Sequence, residues 1–183
     1  MATKGPEVPR LANVNGELFT LTYGALVAQL VTDYEDVGQV NAQLDAMGFN
    51  IGVRLVDEFL AKSGVARCGD FRETAETVAK KAFAMFLGVS LDVTAWNADG
   101  TACTLVFRDG NPLEDFVELP DACSELKYSN LLCGVVRGAL ESVQLRVECT
   151  IESDALRGDA HTEMRLALKE VIEDAAGDDY RDD

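Results

Sequence analysis

The sequence predicts an α+β domain, with helices packed on one side of a four-stranded antiparallel sheet. Three observations lead there. Apolar residues recur at helical spacing from Phe19 to Phe86. The period then drops to two between Val89 and Phe107, and again between Val143 and Leu168. One further helical pattern, starting near Ser129, separates the two alternating stretches. Helices and hairpins segregated along a chain build an α+β fold rather than a parallel α/β sheet.

Residues 1–15 carry Gly5, Pro6 and Pro9 and read as a flexible leader. Residues 16–172 read as a single domain and residues 173–183 as an acidic flexible tail. The first helix has its apolar face at Phe19, Tyr23, Leu26, Val27 and Leu30. The second carries Val40, Leu44, Met47, Ile51, Leu55 and Phe59. Gly48 and Gly52 sit one turn apart inside it. Each costs ~1 kcal/mol relative to alanine in a helix interior, so a close approach of another backbone is expected to compensate.

The third helix begins after Asp70, an N-cap with Glu73 placed as its capping-box partner. Its face is Phe71, Ala75, Val78, Ala79, Ala82, Phe83 and Phe86. Val89, Leu91, Val93 and Ala95 then alternate with polar residues, and Asn97-Ala98-Asp99-Gly100 turns the chain into a return strand from Ala102 to Phe107. A loop follows between Pro112 and Pro120, with apolar Phe116 and Leu119. It reads equally as a loop folded on its own sheet or as a contact for a partner. The fourth helix points Leu132, Val135, Val136, Ala139, Leu140 and Val143 inward. The last hairpin alternates through Val143, Leu145, Val147, Cys149 and Ile151, turns near Gly158, and returns through Thr162, Met164, Leu166 and Leu168.

Composition narrows the function. With 183 residues, 48% hydrophobic and 26% charged, the chain has the balance of a globular domain with its own core. The net charge of −16 opposes nucleic-acid binding, which needs clustered Lys and Arg, and opposes direct attraction to anionic lipid. No stretch approaches the ~18–20 apolar residues that cross a bilayer, and the N-terminus has no apolar signal core. A cytoplasmic protein is expected. The five cysteines, Cys68, Cys103, Cys123, Cys133 and Cys149, are odd in number and contain no CxxC. With a single histidine, His161, they support neither a disulfide framework nor a zinc site.

Cys68 stands apart from the other four. It lies in the link between two apolar helical patterns, directly after Arg67. The thiolate is the nucleophile of thioester chemistry, and a neighbouring cation favours it. An acyl chain attached there needs an apolar tunnel, and Leu60, Phe71, Ala75, Val78, Ala79 and Ala82 are available to line it. Each buried methylene contributes ~0.8 kcal/mol. The other cysteines have no cation so placed and read as core or loop residues. Pairing Cys68 with His161 would make a hydrolase, but no GxSxG or cysteine-protease signature supports one. The chain is read as a non-enzyme.

Several ordered motifs resemble one family. They are Glu17-Leu18-Phe19-Thr20-Leu21-Thr22-Tyr23-Gly24, Met47-Gly48-Phe49-Asn50-Ile51-Gly52-Val53-Arg54-Leu55, and Gly64-Val65-Ala66-Arg67-Cys68-Gly69-Asp70-Phe71. The run continues through Asn111-Pro112-Leu113, Asp115-Phe116-Val117-Glu118-Leu119-Pro120 and Tyr128-Ser129-Asn130-Leu131-Leu132-Cys133-Gly134. Together they resemble subunit 3 of the trafficking protein particle (TRAPP) complex. The resemblance implies a mixed α/β fold that pairs through its N-terminal helices, as a self-dimer or a mixed dimer with other small TRAPP subunits. It implies an S-linked palmitoyl chain on Cys68 in a buried channel, supported by Arg67, with Ala82 as the small residue that keeps the channel open. It implies no other cofactor. It also implies a core scaffold of a vesicle-tethering complex in ER-to-Golgi transport, peripheral to cis-Golgi and endoplasmic reticulum membranes. That complex acts in guanine nucleotide exchange on a Ypt/Rab-type GTPase, and Asp178 and Asp179 match an acidic pair in the GTPase-contacting tail. The alternative function is a stand-alone domain that binds acyl chains or small hydrophobic ligands.

Overall fold

A computed structural model describes residues 14–65 and 67–172 of the chain. Helix α1 (Gly16–Asp33) starts at Asn15, whose side chain accepts from the Leu18 N–H at 3.0 Å. Its buried positions are Thr20, Tyr23, Val27 and Leu30. Phe19, expected inward, is 45% exposed, and Thr20 takes the inner position. The reason is polar: the Thr20 hydroxyl donates to the Pro112 carbonyl at 2.7 Å. The half-buried Pro112 carbonyl gains a donor there, and a phenylalanine side chain has none to give.

Helix α2 (Val37–Ser63) is capped by Asp36 and ends at Gly64, which takes the left-handed φ of 65°. Its inward line runs through Val40, Leu44, Gly48, Gly52, Val56 and Phe59. Expected Met47 and Leu55 are half-buried, and Ile51 is 39% exposed. The glycines, not the aliphatic residues beside them, sit at the centre of the stripe. Helix α5 (Asn130–Glu141) crosses at that point. A Cβ at Gly48 or Gly52 would run into the backbone of Leu131 or Val135, and one at Gly134 or Gly138 into that of Asp45 or Phe49. The close approach is therefore reciprocal, two glycines from each helix. Asp45 and Arg137 form an ion pair across it, and the Arg137 guanidinium lies 5.4 Å from the centre of the Phe49 ring.

Helix α3 (Phe71–Thr77) passes into a wider π-helical turn (Val78–Ala82) and then α4 (Phe83–Leu87). The N-cap follows the sequence reading, with the Glu73 N–H donating to Asp70 Oδ1 at 2.8 Å. The Glu73 carboxylate reaches back one residue further than a capping box requires, to the Gly69 N–H at 2.6 Å. The π turn had no expectation. It directs the Ala79 carbonyl to the Leu91 N–H at 3.0 Å, which ties the helix to the start of the sheet.

The sheet is antiparallel, in the order β1 (Asp92–Thr94), β2 (Ala102–Val106), β4 (Glu163–Val171), β3 (Leu145–Ser153). Cys103 pairs with Leu166, and Leu166 with Cys149. These residues, with Leu105, Val147 and Met164, face the helices and complete the core. The opposite face carries Arg146 paired with Glu170 and Lys169 paired with Glu148, all at least half exposed. An α+β domain with helices on one side of the sheet is thus what the chain forms. Strand β1 is shorter than the alternation from Val89 suggested, because Ala95 adopts a φ of 48° and ends it. β3 shifts register between Arg146 and Val147 and between Ile151 and Ser153. Val143, expected inward, is 37% exposed in the turn after α5, just before Gln144 at a φ of 68°.

Candidate functional site

Of the five cysteines, Cys68 alone is not buried. Burial lifts the Cys103 thiol to about 11. A hydrogen bond with Cys133, together with full burial, holds Cys149 well above the usual thiol range. Both effects disfavour the thiolate and keep the two sheet cysteines as neutral thiols. Cys68 is half-buried, in the link between the α2 C-cap and the α3 N-cap, and its Sγ lies 3.7 Å from the Thr77 hydroxyl. Nothing in the sequence singled out Thr77. Helical geometry brings it back over the link, because it stands two turns into the helix that Asp70 starts.

Arg67 is exposed beside Cys68. From the same end of α3 an apolar stripe leads inward at four-residue steps: Phe71, Ala75, Ala79 and Phe83, all buried. Ala75 and Ala79 have no exposed surface at all. Val78 packs against this core while half-buried, and Ala82 is half-buried. Leu60 does not join them. It is 49% exposed, while its neighbours Val56 and Phe59 face inward. Val56 continues the four-residue rhythm of Gly48 and Gly52, and that rhythm was the available signal. At the start of the stripe, Phe71 meets Trp96 edge-on with ring centres 6.2 Å apart, and the Arg72 guanidinium covers that indole at 4.2 Å. The arrangement offers one half-buried thiol at the head of an apolar stripe in which two alanines lie between two phenylalanines.

A second polar centre lies under the loop after β2. The Glu114 carboxylate accepts from Asn111 Nδ2, Ser129 Oγ and Thr162 Oγ1, each at 2.7 Å. Burial raises its pKa, and these three hydrogen bonds work in the opposite direction. The residues come from the loop, the N-cap of α5 and the approach to β4, so the knot joins three elements. His161 lines a hollow of about 310 Å³ above it, with Phe107, Asn111, Glu114, Leu156 and Thr162. Cys68 is not among the lining residues, and no thiol–imidazole pair forms there. Among the described residues no group of three or more His, Cys, Asp or Glu is arranged to hold a metal, and no helix is long and apolar enough to cross a membrane. Asp178 and Asp179 lie outside the described residues.

Comparison with known proteins places these features in a wider group. The family model for the transport protein particle (TRAPP) component matches residues 19–167. The trafficking protein particle complex subunit 3 of Dictyostelium discoideum is 55% identical over 166 residues, covering 90% of this chain and 89% of that protein. The transport protein particle subunit bet3 of Schizosaccharomyces pombe is 52% identical over 168 residues, covering 90% of each. Among solved structures, a subunit 3 from Naegleria fowleri covalently bound to palmitic acid superposes with a TM-score of 0.84. It is 50% identical and covers 87% of this chain and 98% of that one.

Proposed function

The chain belongs to the TRAPP component family, with the subunit 3 proteins as its relatives, and from that premise we propose that it is a non-catalytic core scaffold of a vesicle-tethering particle. In this reading Cys68 carries a palmitoyl chain as a thioester, and the chain runs inward along Phe71, Ala75 and Ala79. One observation supports this above the others: the only cysteine that is not buried stands at the head of that stripe. That a structural relative is covalently bound to palmitic acid adds to it. Arg67 assists the thiol, and Val78 and Ala82 border the path. An acyl chain lodged in the core cannot also enter a bilayer, so its contribution is to stability.

The outer side of α1 supports pairing with another small subunit or a second copy. Leu18 and Leu21 are 60% and 59% exposed along it, and Val14, just before its N-cap, is 73% exposed. A helix apolar on both sides is one that another surface covers. Through the particle the chain serves transport between the endoplasmic reticulum and the Golgi, peripheral to those membranes. It also adds to an exchange surface for a Ypt/Rab-type GTPase, with Asp178 and Asp179 in the contacting tail.

The test is purification of a tagged chain from its own cells at native abundance, with mass spectrometry of what accompanies it. Other small TRAPP subunits in near-equal amounts are expected. A chain that comes down alone, where other assemblies survive, would replace the scaffold with a stand-alone acyl-binding domain.

A further inference from the structure

We propose that the loop from Asn111 to Pro120 is a rigid prong that docks a neighbouring subunit. Phe116 enters an apolar socket on that subunit, and Lys and Arg side chains on the socket rim meet the carboxylates around it. This deepens the scaffold reading by adding a contact separate from the outer side of α1.

The prong is built from inside. Asn111 and Leu113 are buried at 3% and 0% exposure. The Asn111 carbonyl accepts from the Glu114 N–H at 2.9 Å and closes a turn. Glu114 is then fixed by Asn111, Ser129 and Thr162, and Pro112 is held to α1 by Thr20. Beyond Phe116, Val117 and Leu119 pack back onto the core. Both ends of a short segment are therefore anchored.

Phe116 is the residue left outside. It is 75% exposed and adopts a φ of 63°. A bulky side chain in the left-handed region is a backbone outlier, and such strain persists only where its surroundings enforce it. Single exposed apolar residues are common and need no account. An exposed aromatic ring on a strained residue, between a buried anchor before it and half-buried residues packed on the core after it, is a different matter. Its cost of ordering has been met before binding, which is what favours an aromatic anchor at an interface.

Charge selects the occupant. From Asp109 to Leu126 the chain holds six carboxylates and no Lys or Arg. Asp109, Asp115, Glu118 and Asp121 are exposed, and none has an ion-pair partner among the described residues. Such a rim repels anionic lipid and repels a second copy of itself. It attracts a basic protein surface, whose Lys or Arg can also lie over the Phe116 ring.

The experiment uses the full chain and each small subunit of its own particle, purified separately, with binding measured across a salt series. Three variants are compared with the unmodified chain: Phe116→Ala, Phe116→Gly and the pair Asp115→Lys with Glu118→Lys. One subunit is expected to lose about tenfold or more in affinity to Phe116→Ala. The charge pair should slow association with the same subunit and flatten its salt dependence. Phe116→Gly should bind as poorly as Phe116→Ala while melting no lower than the unmodified chain, because glycine relaxes the left-handed residue. Unchanged affinities of every subunit for all three variants overturn the prong and leave the scaffold intact. Variants that change only self-association or vesicle binding overturn it too. If the unmodified chain binds no subunit, the scaffold reading fails and the prong fails with it.

Discussion

Gly52 of α2 faces the backbone of Val135 in α5 with no room for a methyl group between them. A Cβ there would stand 2.8 Å from the Ala139 nitrogen and nearer still to the Val135 carbonyl oxygen. Gly52→Ala gains ~1 kcal/mol of helix propensity but forces two helices apart along their whole contact. A net loss of about 1–3 kcal/mol is expected from the overpacking. Gly16→Ala is the control, since nothing lies within 4 Å of a Cβ there. Urea unfolding of both variants checks this, and equal midpoints would show that α5 yields without cost.

Cys68 is expected to be the one thiol that reacts in the folded chain. Chain freed of acyl groups by hydroxylamine should take up a single iodoacetamide under native conditions and five in denaturant, one for each cysteine. Peptide mapping should find the native adduct on Cys68. A native adduct on Cys103 or Cys149 would contradict the burial that raises those thiols.

The acyl path is expected to be blocked by bulk on its inner wall. Ala79→Leu adds side-chain volume to a site with no exposed surface and should cost about 1–3 kcal/mol. Ala82→Leu, at a half-buried position, should cost less while lowering the palmitoyl content seen by intact-mass spectrometry. A fully acylated Ala82→Leu chain would move the path away from the π turn. Cys68→Ser should fold but melt several degrees below the acylated chain, since each buried methylene contributes ~0.8 kcal/mol.

Glu114 makes stability depend on pH in a direction opposite to that of most carboxylates. Its folded pKa is raised above the ordinary 4.5, mainly by burial. The folded chain therefore binds this proton more tightly than the unfolded chain does. The stability it contributes is present below the ordinary value and is lost as pH rises through the folded one. Glu114→Gln should flatten the stability profile just above pH 4.5. A profile that keeps its slope in that variant would assign the titration to another group.

Much of this could be read from residue types alone. The order of helices, hairpin, helix and hairpin, the N-cap at Asp70, the glycine approach in α2 and the distinct place of Cys68 follow from periodicity, capping chemistry and the cost of glycine in a helix. What escaped was decided by neighbours distant in sequence. Thr20 displaces Phe19 because a carbonyl 92 residues away needs a donor. Val56 faces inward and Leu60 does not, because the stripe follows the glycines that α5 meets. Thr77 reaches Cys68 only once α3 has folded. The knot around Glu114 draws on three separate elements, none of which signals it singly. The π turn answers to Leu91, a partner outside its own helix.

The two margins of the sheet bear on how such subunits can join. On one side β1 offers three residues before Ala95 turns the chain away. On the other, β3 is long but interrupted by two register shifts, with charged Arg146 and Glu148 exposed along it. Short, bulged and charged borders resist the addition of a foreign strand. Runaway stacking of copies into fibrils is disfavoured at both borders. Contacts through helices, loops or the outer face of the sheet are left, and those can close a finite assembly.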